Sequence, residues 1–233
     1  MASSPEYLRV ETVAGSAGAP LKVAAPREPV VSLRDGEARG WRFAPVVLGD
    51  DRPVSLAALD WGDAEVVDFT ALGLVHEALR EHAGPVGMVL APVSFSTLAS
   101  RRARTLLAER LAEATAETGA GLVLEVRGLK GVPSERLRAV VAEIRPACAG
   151  VVAEAPPDAA GLAPIGHCGF AGVHIRVQGP WSAEPQHLAR YQTLTDLARG
   201  FTPFLLARAP EADHDILAAA GFTHAVSAGM SRS

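Results

Sequence analysis

Apolar positions along the chain alternate between two kinds of pattern. VGMVLAPV (86–93), LVLEV (122–126), GVVAE (150–154), GVHIRV (172–177), PFLLA (203–207) and THAVS (223–227) are short, almost uniformly apolar runs. Runs of that length, apolar on both faces, are what a strand buried on both sides requires. Amphipathic stretches lie between them. RRARTLLAERLAEATAET (101–118) sets Leu106, Leu107, Leu111 and Ala114 along one side of a helix, and SERLRAVVAEIR (134–145) repeats Leu137, Val140, Val141 and Ile144 at helical spacing. Ser134 is placed to cap the second of these, because its hydroxyl can satisfy a free N–H of the first turn. HLARYQTLTDLARG (187–200) and EADHDILAAAG (211–221) read as helices closed by Gly200 and Gly221. Strands that alternate with helices to the end of the chain, without a glycine-rich phosphate loop, predict a (β/α) barrel with its chemistry at the C-terminal strand ends.

PVVSLRDGEARGWRF (29–43) breaks this rhythm with two neighbouring strands around Asp35-Gly36. Asp-Gly between apolar runs predicts a tight hairpin turn whose central residues both take positive φ. Upstream, residues 1–27 are rich in Ala, Ser, Gly and Pro, which predicts a short flexible N-terminal segment ahead of one barrel domain spanning 28–233.

Composition narrows the function classes. The 233 residues are 48% hydrophobic and 21% charged, with a net charge of −4, which argues against the basic face of a nucleic-acid binder. No run of apolar residues is long enough to span a bilayer. MASSPEYLRVETV lacks the basic and apolar regions of an export signal, and Cys148 and Cys168 form no CxxC motif. A cytoplasmic protein with reduced thiols is the expectation.

Five segments then carry a family resemblance. PVVSLRDGEARGW, LAPVSFSTL (90–98), GLVLEVRG (121–128), GVVAEAPPDAAGLAPIGHCGFAGVHIRV (150–177) and FLLARAPEADHDILAAAGFTHAV (204–226) stand in the order and spacing of the EAL domain, the bacterial barrel that hydrolyses cyclic di-GMP. The similarity runs from about residue 27 to the C-terminus, with an apparent shortening between 43 and 66. It implies an α/β fold, a TIM-like (β/α) barrel of the EAL type.

The resemblance also assigns site positions. The family's signature Glu, a metal ligand, corresponds to Arg42; its metal-binding Asn to Pro92; the first Asp of its Asp-Asp pair to Ala153 and the second to Glu154. Its Lys, which orients the attacking water, corresponds to His174, and its late metal-binding Glu to Ala209, with Glu211 two positions on. Glu125 alone is retained, and the carboxylate expected three residues later is Gly128. A guanidinium has only donors and cannot ligate a cation. Hydrolysis of a phosphodiester by a metal pair needs several oxygen ligands. The resemblance therefore implies a catalytically inactive module with no cofactor, Mg or Mn included, that acts through a partner protein and could form a homodimer. Two alternatives stay open: a metal-independent cyclic di-GMP receptor, with Arg42, Glu125, His174 and Arg176 as ligand contacts, and an active phosphodiesterase.

Other features have plainer readings. Glu125 is expected to pair with Arg42 or His174 at the barrel mouth, the guanidinium standing in for metal charge. His174 and Arg176 share a strand face and could meet an anion. His167-Cys168 falls short of a zinc site, Ser94 has no nucleophile-activating partners, and RRAR (101–104) reads as a solvated face. Trp61 and Trp181 are expected in loops, partly buried.

Overall fold

A computed structural model describes residues 9–49, 52–82, 87–176 and 181–227. The first six strands are β1 (Val10–Ala14), β2 (Pro20–Ala24), β3 (Arg27–Ser32), β4 (Ala38–Phe43), β5 (Val46–Gly49) and β6 (Arg52–Val54). Helix α1 (Trp61–Glu81) leads into β7 (Met88–Ser94), and α2 (Phe95–Ala99) and α3 (Arg101–Thr118) lead into β8 (Gly121–Arg127). Then follow α4 (Ser134–Ile144), β9 (Gly150–Ala155), α5 (Ala159–Leu162), β10 (Gly172–Ile175), α6 (Pro185–Arg199), β11 (Phe204–Ala209), α7 (His214–Ala219) and β12 (His224–Ser227).

Eight strands close a barrel in the order β10-β11-β12-β3-β4-β7-β8-β9. All neighbours are parallel except β3, which runs antiparallel to both β12 and β4. The barrel is therefore mixed, because the hairpin at its start inverts one strand. That hairpin is looser than Asp35-Gly36 predicts. Gly36 alone takes positive φ (72°), and the closing bonds run from Gly36 N–H to Ser32 C=O and from Ser32 N–H to Glu37 C=O.

The period-2 pattern sorts the strands' side chains into two layers. Val30, Leu90, Val123, Val152, Leu206 and Val226, from six strands, form an apolar plug inside the barrel. Fully burying such a side chain contributes about 1.5–3 kcal/mol each. Their sequence neighbours point outward and join Leu72, Leu107, Leu137, Tyr191 and Leu217 of the helices in the larger core. Two residues above Val30, Val123, Val152 and Leu206 of the plug stand the polar side chains of Glu28, Glu125, Glu154 and Arg208, with Arg42 of β4 beside them and Pro92 above Leu90. The barrel mouth is built on this second interior layer.

Helix ends follow local rules in part. Asp60 caps α1 by accepting from Asp63 N–H at 2.7 Å, and Gly119 closes α3 in the left-handed region. Ser134 does not cap α4. Pro133 holds the cap position and Ser134 is the first helical residue, so its hydroxyl lies past the point where it could serve. Gly200 stays right-handed, whereas Gly221 takes φ 92°. Residues 211–213 form a 3-10 turn ahead of the short α7.

The stretch before residue 28 needs the largest correction. Residues 1–8 lie outside the described residues, but β1 and β2 are ordered strands of a second, antiparallel sheet, β1-β2-β5-β6. One face of that sheet buries Leu21, Val23 and Val47 against Val67 and Ala71 of α1. Among the described residues of this stretch, Gly15 and Gly18 belong to the turn between β1 and β2, so residues 9–27 are part of a sheet and not a flexible segment. Trp61 is the first residue of α1 and 72% exposed, while Trp181 is buried against Tyr191 and Phe222, its Nε1–H donating to Arg208 C=O.

Candidate functional site

The polar layer at the barrel mouth is assembled from strands far apart in sequence. Glu125 of β8 is fully buried. Arg42 of β4 grips it as a fork, Nε to Oε2 at 2.6 Å and Nη2 to Oε1 at 3.1 Å. Glu28 lies directly across from Arg42 in the β3–β4 register and accepts from its Nη1 at 3.0 Å. The other oxygen of Glu28 accepts from Nη2 of Arg208 at 2.5 Å. On the opposite side, His174 Nδ1 lies 2.6 Å from Glu125 Oε1. His174 is in register with Glu154 of β9, and Glu154 accepts from Arg176 at 3.0 Å.

Three carboxylates therefore meet three guanidiniums, with an imidazole between Glu125 and Glu154. Burial alone would raise the Glu125 carboxyl, but Arg42 and then His174 hold it well below the usual carboxylate range. Burial likewise works against the charged form of Arg42, and Glu125, Glu28 and Glu154 outweigh it, raising the guanidinium above its ordinary value. Both groups stay charged at any physiological pH. One polar atom is left over: Nε2 of His174 is buried with no hydrogen-bond partner among the described residues.

The site positions that the resemblance implies divide into two sets. Arg42, Glu125, Glu154, His174 and Arg176 come together at the mouth. Pro92 sits on β7 opposite Glu125 in register. Ala153 and Ala209 belong instead to the helix-facing core, so at those strand ends the interior neighbours are Glu154 and Arg208. Glu211 falls in the 3-10 turn past β11. Glu28 and Arg208 are not singled out in the sequence, although each is the polar member of a period-2 interior row, two positions above Val30 and Leu206.

A second buried cluster lies beside the mouth. Asp68 of α1 accepts from Ser94 N–H at 2.7 Å, Thr97 Oγ1 at 2.6 Å and Arg127 Nη2 at 2.6 Å, and Arg127 Nε donates to Ser94 Oγ. Ser94 is thus a structural donor and acceptor. Burial pushes the Asp68 carboxyl up despite these partners. Cys168 is buried with its thiol on backbone carbonyls, and His167 beside it is exposed at φ 64°. In RRAR, Arg104 pairs with Glu143 while Arg101 and Arg102 are exposed.

With this geometry in place, similarity to known proteins defines the fold. No protein-family model matches the chain, and no curated protein does. Among solved structures, the Bacillus subtilis YkuI protein with an EAL domain, solved with substrate c-di-GMP and calcium, matches at TM-score 0.69 and 18% identity, over 88% of this chain and 53% of that one. Klebsiella pneumoniae BlrP1, solved as a calcium and cyclic di-GMP complex, matches at 0.65 and 12%, over 88% and 54%. The FimX EAL domain from Pseudomonas aeruginosa, bound to c-di-GMP, matches at 0.62 and 14%, over 88% of each chain. The chain spans about half the length of YkuI and BlrP1. It has the TIM-like barrel fold of EAL domains.

These findings correct the expectation that no metal, Mg or Mn included, has a place here. Glu125, Glu154 and His174 each offer a ligand atom, and those atoms lie within 4.8 Å of one another. Two of the matching structures were solved with calcium. The family resemblance sets His174 where a Lys stands and so implies no metal ligand there, whereas an imidazole is itself a metal ligand once the fold brings it to two carboxylates. The donor set fits one divalent ion. No helix among the described residues is long and apolar enough to cross a membrane.

Proposed function

We propose that this chain is a regulatory module of cyclic di-GMP signalling that does not hydrolyse the nucleotide and acts through a protein partner. The observation that carries this reading is the engagement of Glu125: both its oxygens accept from Arg42, and one also meets His174. In-line attack on a phosphodiester draws on two ions that hold the attacking and leaving oxygens. Glu125, Glu154 and His174 would hold one, which when bound would polarise a phosphoryl oxygen. A second would need further oxygen ligands, and the nearby acid, Glu28, is already shared by Arg42 and Arg208.

A receptor role for the nucleotide is the second reading. Arg176 and Arg208 favour it, since their side chains are about half exposed at the mouth and present donors suited to phosphate. One experiment separates the readings: cyclic di-GMP is incubated with the protein and MnCl2, the products are resolved chromatographically, and binding is followed by calorimetry. Intact nucleotide and no heat of binding is the expected outcome. Heat without turnover would favour the receptor, and a linear pGpG product would overturn the non-hydrolysing reading altogether.

A further inference from the structure

We propose that Arg42 is a resident cation that competes with a divalent ion for Glu125, so that metal affinity at the mouth is set by where this one guanidinium sits. The inference rests on the reading of Glu125, Glu154 and His174 as a single-ion site. Two observations point there. The ligand atoms of the three residues converge within 4.8 Å. Beside them, the buried Nε2 of His174 lacks any partner among the described residues, and buried polar nitrogens are rarely left so unless an ion, water or ligand completes them.

The competition follows from lone pairs and charge. A carboxylate offers about four acceptor sites. Arg42 takes one on each oxygen of Glu125 and His174 Nδ1 meets a third. An ion bound to Glu125 would have to sit beside a fixed positive charge in a buried setting, where like charges repel far more than in water. Arg42 has a second anchor that allows it to yield. Its Nη1 already donates to Glu28, its cross-strand neighbour, and that bond does not depend on Glu125. Arg208, on the other oxygen of Glu28, competes for this anchor and so biases Arg42 back toward Glu125.

The test titrates MnCl2 into the full chain without nucleotide, by calorimetry and by the metal-induced rise in melting temperature. Arg42→Gln removes the charge while leaving Glu28 with Arg208 and Glu125 with His174. It should bind Mn²⁺ about tenfold or more tighter than the unaltered protein, since relief of like-charge repulsion worth one decade is modest for a buried site. The melting temperature should rise correspondingly more with added metal. Arg42→Lys keeps the charge and should show no such gain. Adding Glu125→Gln to Arg42→Gln should abolish the gain. If Arg42→Gln alone fails to fold, Arg42→Gln with Glu28→Gln removes both charges together and serves in its place. Equal affinity of the neutralised variant and the unaltered protein, or a gain that survives loss of Glu125, overturns the proposal. Nucleotide is absent throughout, so a finding of pGpG formation would overturn the functional reading without touching this result, and the reverse also holds.

Discussion

Glu125 shows how strongly a single residue depends on its partners. Its carboxyl is depressed in the folded chain, while an unfolded Glu titrates near about 4.3. A group of this kind contributes stability that is fully present above its unfolded value and lost as pH falls through the folded one. Between pH 7 and about 5 its contribution is constant, and it disappears progressively below about 4. The urea midpoint of the unaltered protein should therefore drop more steeply between about pH 4 and 2 than that of Glu125→Gln, which starts lower at pH 7. Equal slopes would mean that the ion pairs do not hold the carboxylate. Asp68 is the other residue on which several elements converge. Asp68→Ala strands a buried arginine, Arg127, whose Nη1 already lacks a partner among the described residues, and should destabilise by about 3–5 kcal/mol in chemical denaturation. A loss under 1 kcal/mol would show that water replaces the carboxylate there. The two residues differ in what the chain shows beforehand: Glu125 is expected to pair with Arg42 or His174, and both meet it, whereas Asp68 lies in a helix that the strand-and-helix pattern passes over.

Elements are held in register by backbone approaches as much as by side chains. β4 and β7 come so close that a Cβ on Gly40 would sit 1.8 Å from the Met88 carbonyl oxygen. Gly40→Ala should therefore separate the strand carrying Arg42 from its neighbour, lowering stability by about 3 kcal/mol or more. Gly73, exposed in the middle of α1, meets nothing within 4 Å, and Gly73→Ala should raise stability by about 0.5–1 kcal/mol through helix propensity alone. Thermal melts of the two variants should move in opposite directions. Much at this scale was legible beforehand. Strands β7 to β12 and helices α3, α4 and α6 follow the apolar periods within a few residues, because those periods are set by backbone geometry that every segment shares. Strands β1, β2, β5 and β6 were not legible. The strands are short, and burying Leu21 or Val23 needs the sheet and α1 together, whereas α1 carries a full apolar side, Val67, Ala71, Leu74 and Val75 among it, that the expected elements passed over.

For the whole molecule, the accessory sheet and the barrel mouth lie on separate cores. Leu21 packs within the small cluster on α1, away from the interior layer that holds Glu125. Leu21→Ala should cost about 2 kcal/mol, near the lower end for such truncations because one side of the sheet is solvated. It should leave Mn²⁺ affinity unchanged, since distant sites without shared partners act additively. Altered metal binding in that variant would reveal a coupling through α1.

By itself the sequence determined the alternation of strands and helices, the barrel that this alternation closes, and the presence of an arginine beside glutamates on interior strand positions. Those features depend on local periods and on side-chain chemistry, which neighbours in the chain suffice to express. Arg42 and His174 were the expected partners of Glu125, but tertiary structure alone decided that both engage it at once and that Glu28 joins Arg42 to Arg208. Arg42 and Glu125 are 83 residues apart, and Glu28 and Arg208 are 180 apart. Only barrel closure brings them within hydrogen-bonding distance, and only burial makes their charges answer to one another. The same closure turned His174 toward two carboxylates and directed Ala153 and Ala209 into the helix-facing core. Period 2 separates the two faces of each strand, but which face looks into the barrel is fixed only when the sheet closes.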